Sequence, residues 1–337
     1  MDLEKIAKRL QKEYAGVELA SAIQDSNEYI STGNKALDLC LGGGIAWGYV
    51  SEFSGFSGSG KTLMLQLMLS DAQKRYNAQC IWFDRENAWF NERAEELGIN
   101  VNDVILVKPQ AIPTVDDMNR IATDILDQLD KDRYTFIALD SLSAFEAEVK
   151  WSKKDQRYAV DMGKKAQSFH QFFRKIIPKI GAKFSFMFSN QLTYKVGVMF
   201  GDNTTQTGGE SPKYYTTYRL KLDDKKAIMA ADKGNEIIGN WIKAIVIKTR
   251  RGPNYRDVLF PFYFKEGIPY YGGYARLLVD RGYVTPKNKT EFSSCKQSTV
   301  TYKDKQYSEH KIEKLLEDAP ELLFSEYPEY HAGDTDG

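Results

Sequence analysis

Val50-Ser-Glu-Phe-Ser-Gly55-Phe-Ser-Gly-Ser-Gly60-Lys61-Thr62-Leu-Met-Leu65 is the stretch from which the fold is read. Its first four residues are a short strand pattern, its last four open a helix, and Gly55–Thr62 between them fits G-x-x-x-x-G-K-[ST]. The chemistry explains the residue types. Glycines let consecutive backbone N–H groups turn inward around phosphate oxygens, and the helix N-terminus adds its positive end. Lys61 can bridge the outer phosphates, and Thr62 offers a hydroxyl to Mg²⁺. Gly55, Phe56, Ser57, Gly58, Ser59, Gly60, Lys61 and Thr62 are therefore the candidate phosphate loop. The alternative is a Gly/Ser-rich turn with an incidental lysine, which the flanking strand and helix disfavour.

Outward from the loop, β-rich runs alternate with helical ones. Val50–Phe53, Cys80–Phe83, Val104–Val107, Phe136–Leu139, Phe184–Phe188 and Ala244–Ile247 read as buried strands, several almost wholly apolar, as in a parallel sheet covered on both faces. Lys61–Arg75, Thr114–Asp130 and Ala159–Ile177 read as helices, so the expected fold is an α/β doubly wound sheet, mostly parallel. In such sheets ligands gather at the carboxyl ends of the strands. Phe136-Ile-Ala-Leu-Asp140-Ser141 ends there in an aspartate suited to the Mg²⁺ beside Thr62, although a strand-ending Asp also caps helices. Cys80–Phe83 runs into Asp84-Arg85-Glu86, which makes Glu86 the candidate base for the attacking water, against a solvated acidic turn.

Composition limits the partners. The 337 residues carry 46 Lys+Arg and 46 Asp+Glu, so a nucleic acid would have to be met by a local basic surface. Cys40, Cys80 and Cys295 show no metal or disulfide spacing and read as reduced thiols of a cytoplasmic protein. No run of about 18 apolar residues suggests a membrane span. Leu3, Ile6, Leu10 and Tyr14 recur at helical spacing before Gly16, which suggests an N-terminal helical arm over residues 1–29. After Thr285 the chain turns polar, with an amphipathic segment near Glu309–Glu317. No Lys or Arg follows Lys314, leaving an acidic tail in a small C-terminal region, residues 285–337.

Three segments carry a family resemblance. Ile30-Ser-Thr-Gly33, Leu37-Asp38, Gly42-Gly-Gly44 and Gly48 are similar to the lead-in to the nucleotide loop of bacterial RecA proteins. Cys80–Glu86 with Glu96-Leu-Gly-Ile-Asn100 resembles the strand bearing their catalytic glutamate. Ser189-Asn-Gln191-Leu-Thr-Tyr-Lys195-Val-Gly-Val-Met-Phe200-Gly, followed by Thr207-Gly-Gly209, resembles their strand end and second DNA-binding loop nearly residue for residue. The resemblance spans residues 30–284, with an echo at Lys12-Glu-Tyr14. Ala159-Val-Asp-Met162 and Phe172-Phe-Arg174-Lys-Ile-Ile-Pro178 look closer to the phage UvsX branch.

The resemblance implies a RecA-type P-loop NTPase core at 30–284 that hydrolyses ATP with Mg²⁺. It implies a protein that assembles as helical filaments on single-stranded DNA and pairs it with homologous duplex, in a host's cytoplasm if the source is a phage. Gln191 matches the residue sensing the γ-phosphate. Lys248 and Arg250 match cations reaching the neighbouring subunit's ATP, as an arginine finger does. Lys195, Gly197, Met199, Phe200, Gly208 and Gly209 match the second DNA loop, where cations meet phosphates and aromatics stack on bases. For the first loop the candidate is Lys150-Trp-Ser-Lys153-Lys154-Asp-Gln-Arg157, basic but unlike the bacterial sequence, with Trp151 equally suited to packing. Where bacterial proteins stack an aromatic on adenine, this chain has Trp89-Phe90-Asn-Glu-Arg93. A RecA-fold ring helicase and a non-hydrolysing recombination mediator are the competing readings.

Overall fold

The computed structural model describes residues 2–14, 16–22, 28–145, 148–152, 157–194, 204–206, 211–230, 236–293 and 299–328. Helix α1 (Leu3–Gln11) starts where the Asp2 side chain accepts the Glu4 N–H at 3.2 Å, and none of its residues is buried. A short ladder of β1 (Tyr29–Ile30) and β2 (Ile45–Ala46) brackets α2 (Lys35–Leu41), capped by the Asn34 side chain. Then come β3 (Val50–Gly55), α3 (Lys61–Tyr76), β4 (Gln79–Asp84), α4 (Asn91–Glu96), β5 (Val104–Val107), α5 (Val115–Gln128) and β6 (Thr135–Asp140). A hairpin of β7 (Glu148–Ser152) and β8 (Arg157–Asp161) leads into α6 (Met162–Ile176) and β9 (Phe184–Tyr194). Next are β10 (Thr204–Gln206), α7 (Ser211–Tyr215), β11 (Tyr218–Met229), β12 (Ile237–Lys248), β13 (Asp257–Tyr263) and α8 (Tyr274–Asp280). The C-terminal part adds β14 (Thr285–Pro286), α9 (Lys289–Ser293), β15 (Thr299–Tyr302), β16 (Lys305–Ser308) and α10 (Ile312–Asp318).

The main sheet runs β13-β12-β11-β3-β9-β6-β4-β5, parallel from β11 to β5 and antiparallel where β12 and β13 are appended. Because alternate residues of a strand face opposite sides, strands covered on both faces are mostly apolar, and the charged residue that β3 buries, Glu52, is paired with Arg219 and Asn190. Cys80, Trp82, Phe136, Ala138 and Met187 form one face, packed with Met64, Leu65, Met68 and Leu69 of α3. Ile81, Phe83, Ile137, Leu139, Phe186 and Phe188 form the other, covered by Met118 of α5 and Phe169, Phe172 and Phe173 of α6. Each fully buried side chain of this size contributes about 1.5–3 kcal/mol, so the two layers fix the sheet that presents the loop.

Two expectations are corrected. Val104–Val107 is a strand, but at the sheet edge, where one neighbour and partial cover leave Ile105 exposed. The helix expected over Ala159–Ile177 begins only at Met162; residues 159–161 pair with residues 148–150 in the β7–β8 hairpin, which wins over the helical pattern.

The segment after Thr285 is anchored to the same apolar cluster as α8 through Phe292, Val300, Ile312, Leu315 and Leu322. A buried ion pair, Arg276 Nε to Glu309 Oε1 at 2.6 Å, joins α8 to the residues before α10, with the guanidinium between the Trp241 and Phe292 rings at 4.3 and 4.4 Å. Among the described residues no helix is long and apolar enough to cross a membrane.

Candidate active site

Strand β3 delivers Gly55 to the carboxyl edge of the sheet, and the chain turns there before α3 begins. Gly58 (φ +78°) and Gly60 (φ +84°) sit in the left-handed region that side chains disfavour, and a Cβ on Gly55 would run into Ser59 Oγ and the Leu222 carbonyl. The loop opens on a cavity of about 400 Å³ whose lining includes Ser57, Lys61, Thr62, Glu86, Asp140 and Gln191. The sheet thus collects residues as far apart in sequence as Ser57 and Phe264.

Lys61 donates to the Phe56 carbonyl at 2.8 Å. Burial lowers its pKa, and the charges of Glu86 and Asp140 pull the other way. Thr62 Oγ1 donates to Asp140 Oδ2 at 2.7 Å, and the Ser189 hydroxyl donates to Asp140 Oδ1. Burial raises the Asp140 pKa against these hydroxyl donors, and a cation next to it would favour the ionised form. A hydroxyl and a carboxylate in contact are the hard oxygen donors that suit Mg²⁺.

Glu86 stands on a pinned turn. The Arg85 and Glu86 N–H groups donate to the Asp140 carbonyl at 2.7 and 3.1 Å, while Asp84 accepts from the N–H groups of Ala88 and Trp89 at 2.9 and 3.1 Å. The Glu86 carboxylate reaches the cavity and accepts from the Ser141 hydroxyl. Gln191 is the register partner of Gly55 on the adjacent strand, which puts it beside the phosphate loop at the root of the segment that follows Tyr194. Phe56 of the loop also stacks on Tyr194, with ring centroids 4.8 Å apart.

Lys248 and Arg250 do not join this cavity. Lys248 is level with Arg219, which is level with Glu52, three residues before Gly55. That is a separation of roughly 10 Å along the strands and roughly 10 Å across them. Antiparallel β12 carries the chain further from the loop after Lys248. Its ammonium donates to the Lys213 carbonyl at 2.7 Å, and Arg250 is exposed.

Of the candidate base-stacking residues, Trp89 packs against Trp82 at 5.1 Å, and Arg93, which lines the cavity, is held by Glu96 at 2.8 Å and the Lys265 carbonyl at 3.1 Å. Phe90 is open at the cavity, together with Phe262 and Phe264, two aromatics that the sequence reading missed. The aromatic run at the end of β13 was the available signal. Lys150 and Arg157 lie on β7 and β8, whereas Lys153, Lys154, Lys195, Gly197, Met199, Phe200, Gly208 and Gly209 lie outside the described residues.

A glycine loop between a central parallel strand and its helix, with a strand-end aspartate bonded to the loop threonine, defines a phosphate-loop nucleoside triphosphatase. Residues 1–269 match the family model for the RecA N-terminal domain. Proteins named Protein RecA from Streptomyces venezuelae and Colwellia psychrerythraea are 32% and 33% identical, over 80% and 76% of this chain and 69% and 72% of their own lengths. One from Pseudomonas savastanoi pv. phaseolicola is 34% identical over 76% of this chain and 69% of its own. The chain belongs to the RecA family, and as such is a DNA-dependent ATPase of ATP-dependent recombination and strand exchange.

Proposed function

We propose that the ATP site is completed only between two copies of the chain. Lys61, Thr62, Asp140 and Glu86 of one copy hold the nucleotide, and Lys248 and Arg250 of the next supply cations to the charge that develops on the transferred phosphoryl group. The observation that carries this reading is that Lys248 lies two strands across and three residues back from its own phosphate loop, on a strand that leads away from it. Thr62 and Asp140 would hold Mg²⁺, which neutralises charge on the phosphate oxygens. Glu86 orients and deprotonates the attacking water, Gln191 reads the γ-phosphate, and Phe90 and Phe264 flank the base.

A contact between different surfaces of like subunits repeats into an open helix unless it closes, so the assembly is a filament. Single-stranded DNA lies along it on residues 195–209 and on the β7–β8 hairpin, with homologous duplex as the second DNA partner. The run from Ala159 to Pro178 supports a phage-type member working in its host's cytoplasm.

Mixing two inactive variants tests the shared site. Lys61→Ala lacks its own loop lysine, and Lys248→Ala/Arg250→Ala lacks the donated cations. In an equimolar mixture on single-stranded DNA about a quarter of the interfaces pair an intact loop with intact cations, so turnover returns to about a quarter of wild type. A mixture as inactive as its components, in filaments seen by electron microscopy to hold both, refutes the shared site. Closed rings would favour the helicase.

A further inference from the structure

Between Glu86 and the root of the second DNA loop runs a line of hydroxyls. Where β6 ends and its ladder with β9 stops, the main chain continues through Ser141 and Ser143 alongside β9. The Gln191 N–H donates to Ser143 Oγ at 3.1 Å, Ser143 Oγ and Ser141 Oγ are 2.7 Å apart, and Ser141 Oγ donates to Glu86 Oε1. Ser141 is fully buried and Ser143 partly so, which limits water at the middle of the line, while its Glu86 end is exposed at the cavity.

The direction of every bond follows from the proton count. A serine hydroxyl has one proton, and an ionised carboxylate only accepts. Ser141 gives its proton to Glu86, so the bond between the serines must use the Ser143 proton. That leaves the Ser143 oxygen to accept the Gln191 N–H. All dipoles therefore point one way, from the backbone of β9 to the carboxylate, and each bond strengthens the next.

We infer that Ser143 is a positioning residue that couples the second DNA loop to ATP hydrolysis, acting on Glu86 through Ser141. The inference rests on the proposed roles of Glu86 and residues 195–209. A displacement of the β9 end by DNA lengthens the Gln191–Ser143 bond, which at 3.1 Å has little reach left. The Ser143 hydroxyl is then free to turn away from Ser141, and the hold on Glu86 slackens at the carboxylate that must engage water. No covalent step is involved.

The readout is the ratio of ATP turnover with single-stranded DNA to turnover without it. Ser143→Ala lowers this ratio about five-fold or more, while Ser143→Thr, which keeps the hydroxyl, holds it within about two-fold of wild type. Because the serines act in series, Ser141→Ala and the double Ala variant share one ratio instead of multiplying their losses. A Ser143→Ala ratio within about two-fold of wild type overturns the inference, as does an equal loss in the Ala and Thr variants. Glu86→Gln separates the two levels. If it turns over ATP at the wild-type stimulated rate, the reading of the site fails; if it is inactive and Ser143→Ala is normal, only the coupling fails.

Discussion

Asp38 shows how much of this chain's chemistry is spent on holding a loop. Its carboxylate accepts from the Thr32 N–H and hydroxyl at 2.8 and 2.7 Å and from the Ser31 hydroxyl at 2.6 Å, fastening the turn before α2. Burial pushes its pKa up from 3.8 to about 6, the hydroxyl and N–H donors lowering it only in part. A folded pKa above the unfolded one stabilises most below the unfolded pKa, and that stability is lost as pH rises through the folded value. Between pH 4 and 6 the group therefore removes roughly 3 kcal/mol from the fold. Asp38→Asn cannot ionise, so its stability relative to wild type should rise by roughly that amount across the same window and stay level above pH 7. Urea titrations of both proteins at several pH values check it; a difference independent of pH sinks the assignment. The sequence showed Asp38 only as part of a family pattern, because its surroundings include residues far along the chain: the neighbouring Asn34 is tied to the carbonyls of Pro269 and Gly272. Gly55–Thr62 and Asp140 were legible because each is local: a glycine pattern, and an acid closing an apolar strand. Ser143 was not, since its meaning comes from a strand 48 residues away.

Elements were readable where both faces are covered. Val50–Phe53, Cys80–Phe83, Phe136–Leu139 and Phe184–Phe188 sit inside strands β3, β4, β6 and β9; the continuous apolar text of Cys80–Phe83 and Phe136–Leu139 follows from helices on either side, while Val50–Phe53 buries Ser51 and Glu52, the latter paired with Arg219. Strand β11 escaped notice because only its first half alternates in this way: Tyr218, Leu220 and Leu222 are buried, and then Asp223-Asp224-Lys225-Lys226 pairs with β12 away from the layers. The link from α8 to the C-terminal part adds one buried ion pair to its apolar contacts. Arg276 and Glu309 are both almost wholly buried, so Glu309→Ala would strand a charged guanidinium and should cost about 3–5 kcal/mol. Chemical denaturation measures that loss. Replacement of Arg276 and Glu309 together by Met and Leu should recover much of it, since the desolvation of both charges is then removed; a double variant as unstable as Glu309→Ala contradicts this account.

In the whole molecule, the N-terminal helix stands apart from the two apolar layers. Helix α1 buries none of its residues, and Leu3 and Tyr14 are exposed. Deletion of residues 2–14 should leave the thermal midpoint of the isolated chain within about 2 °C of wild type, as for surface changes of about 0.5 kcal/mol. Assembly should suffer, with sedimentation showing shorter particles at equal concentration. A large fall in the midpoint would mean that the arm packs on its own core.

The placement of Lys248 away from its own phosphate loop also gives the proposed assembly a direction. A chain of n subunits joined loop to cation has n − 1 finished sites: one terminal subunit has a phosphate loop that no neighbour serves, and the opposite terminus has cations with nothing to act on. The two ends are chemically different, so subunits join and leave them at different rates. Hydrolysis per subunit rises with length and saturates, and short DNA is penalised by arithmetic alone.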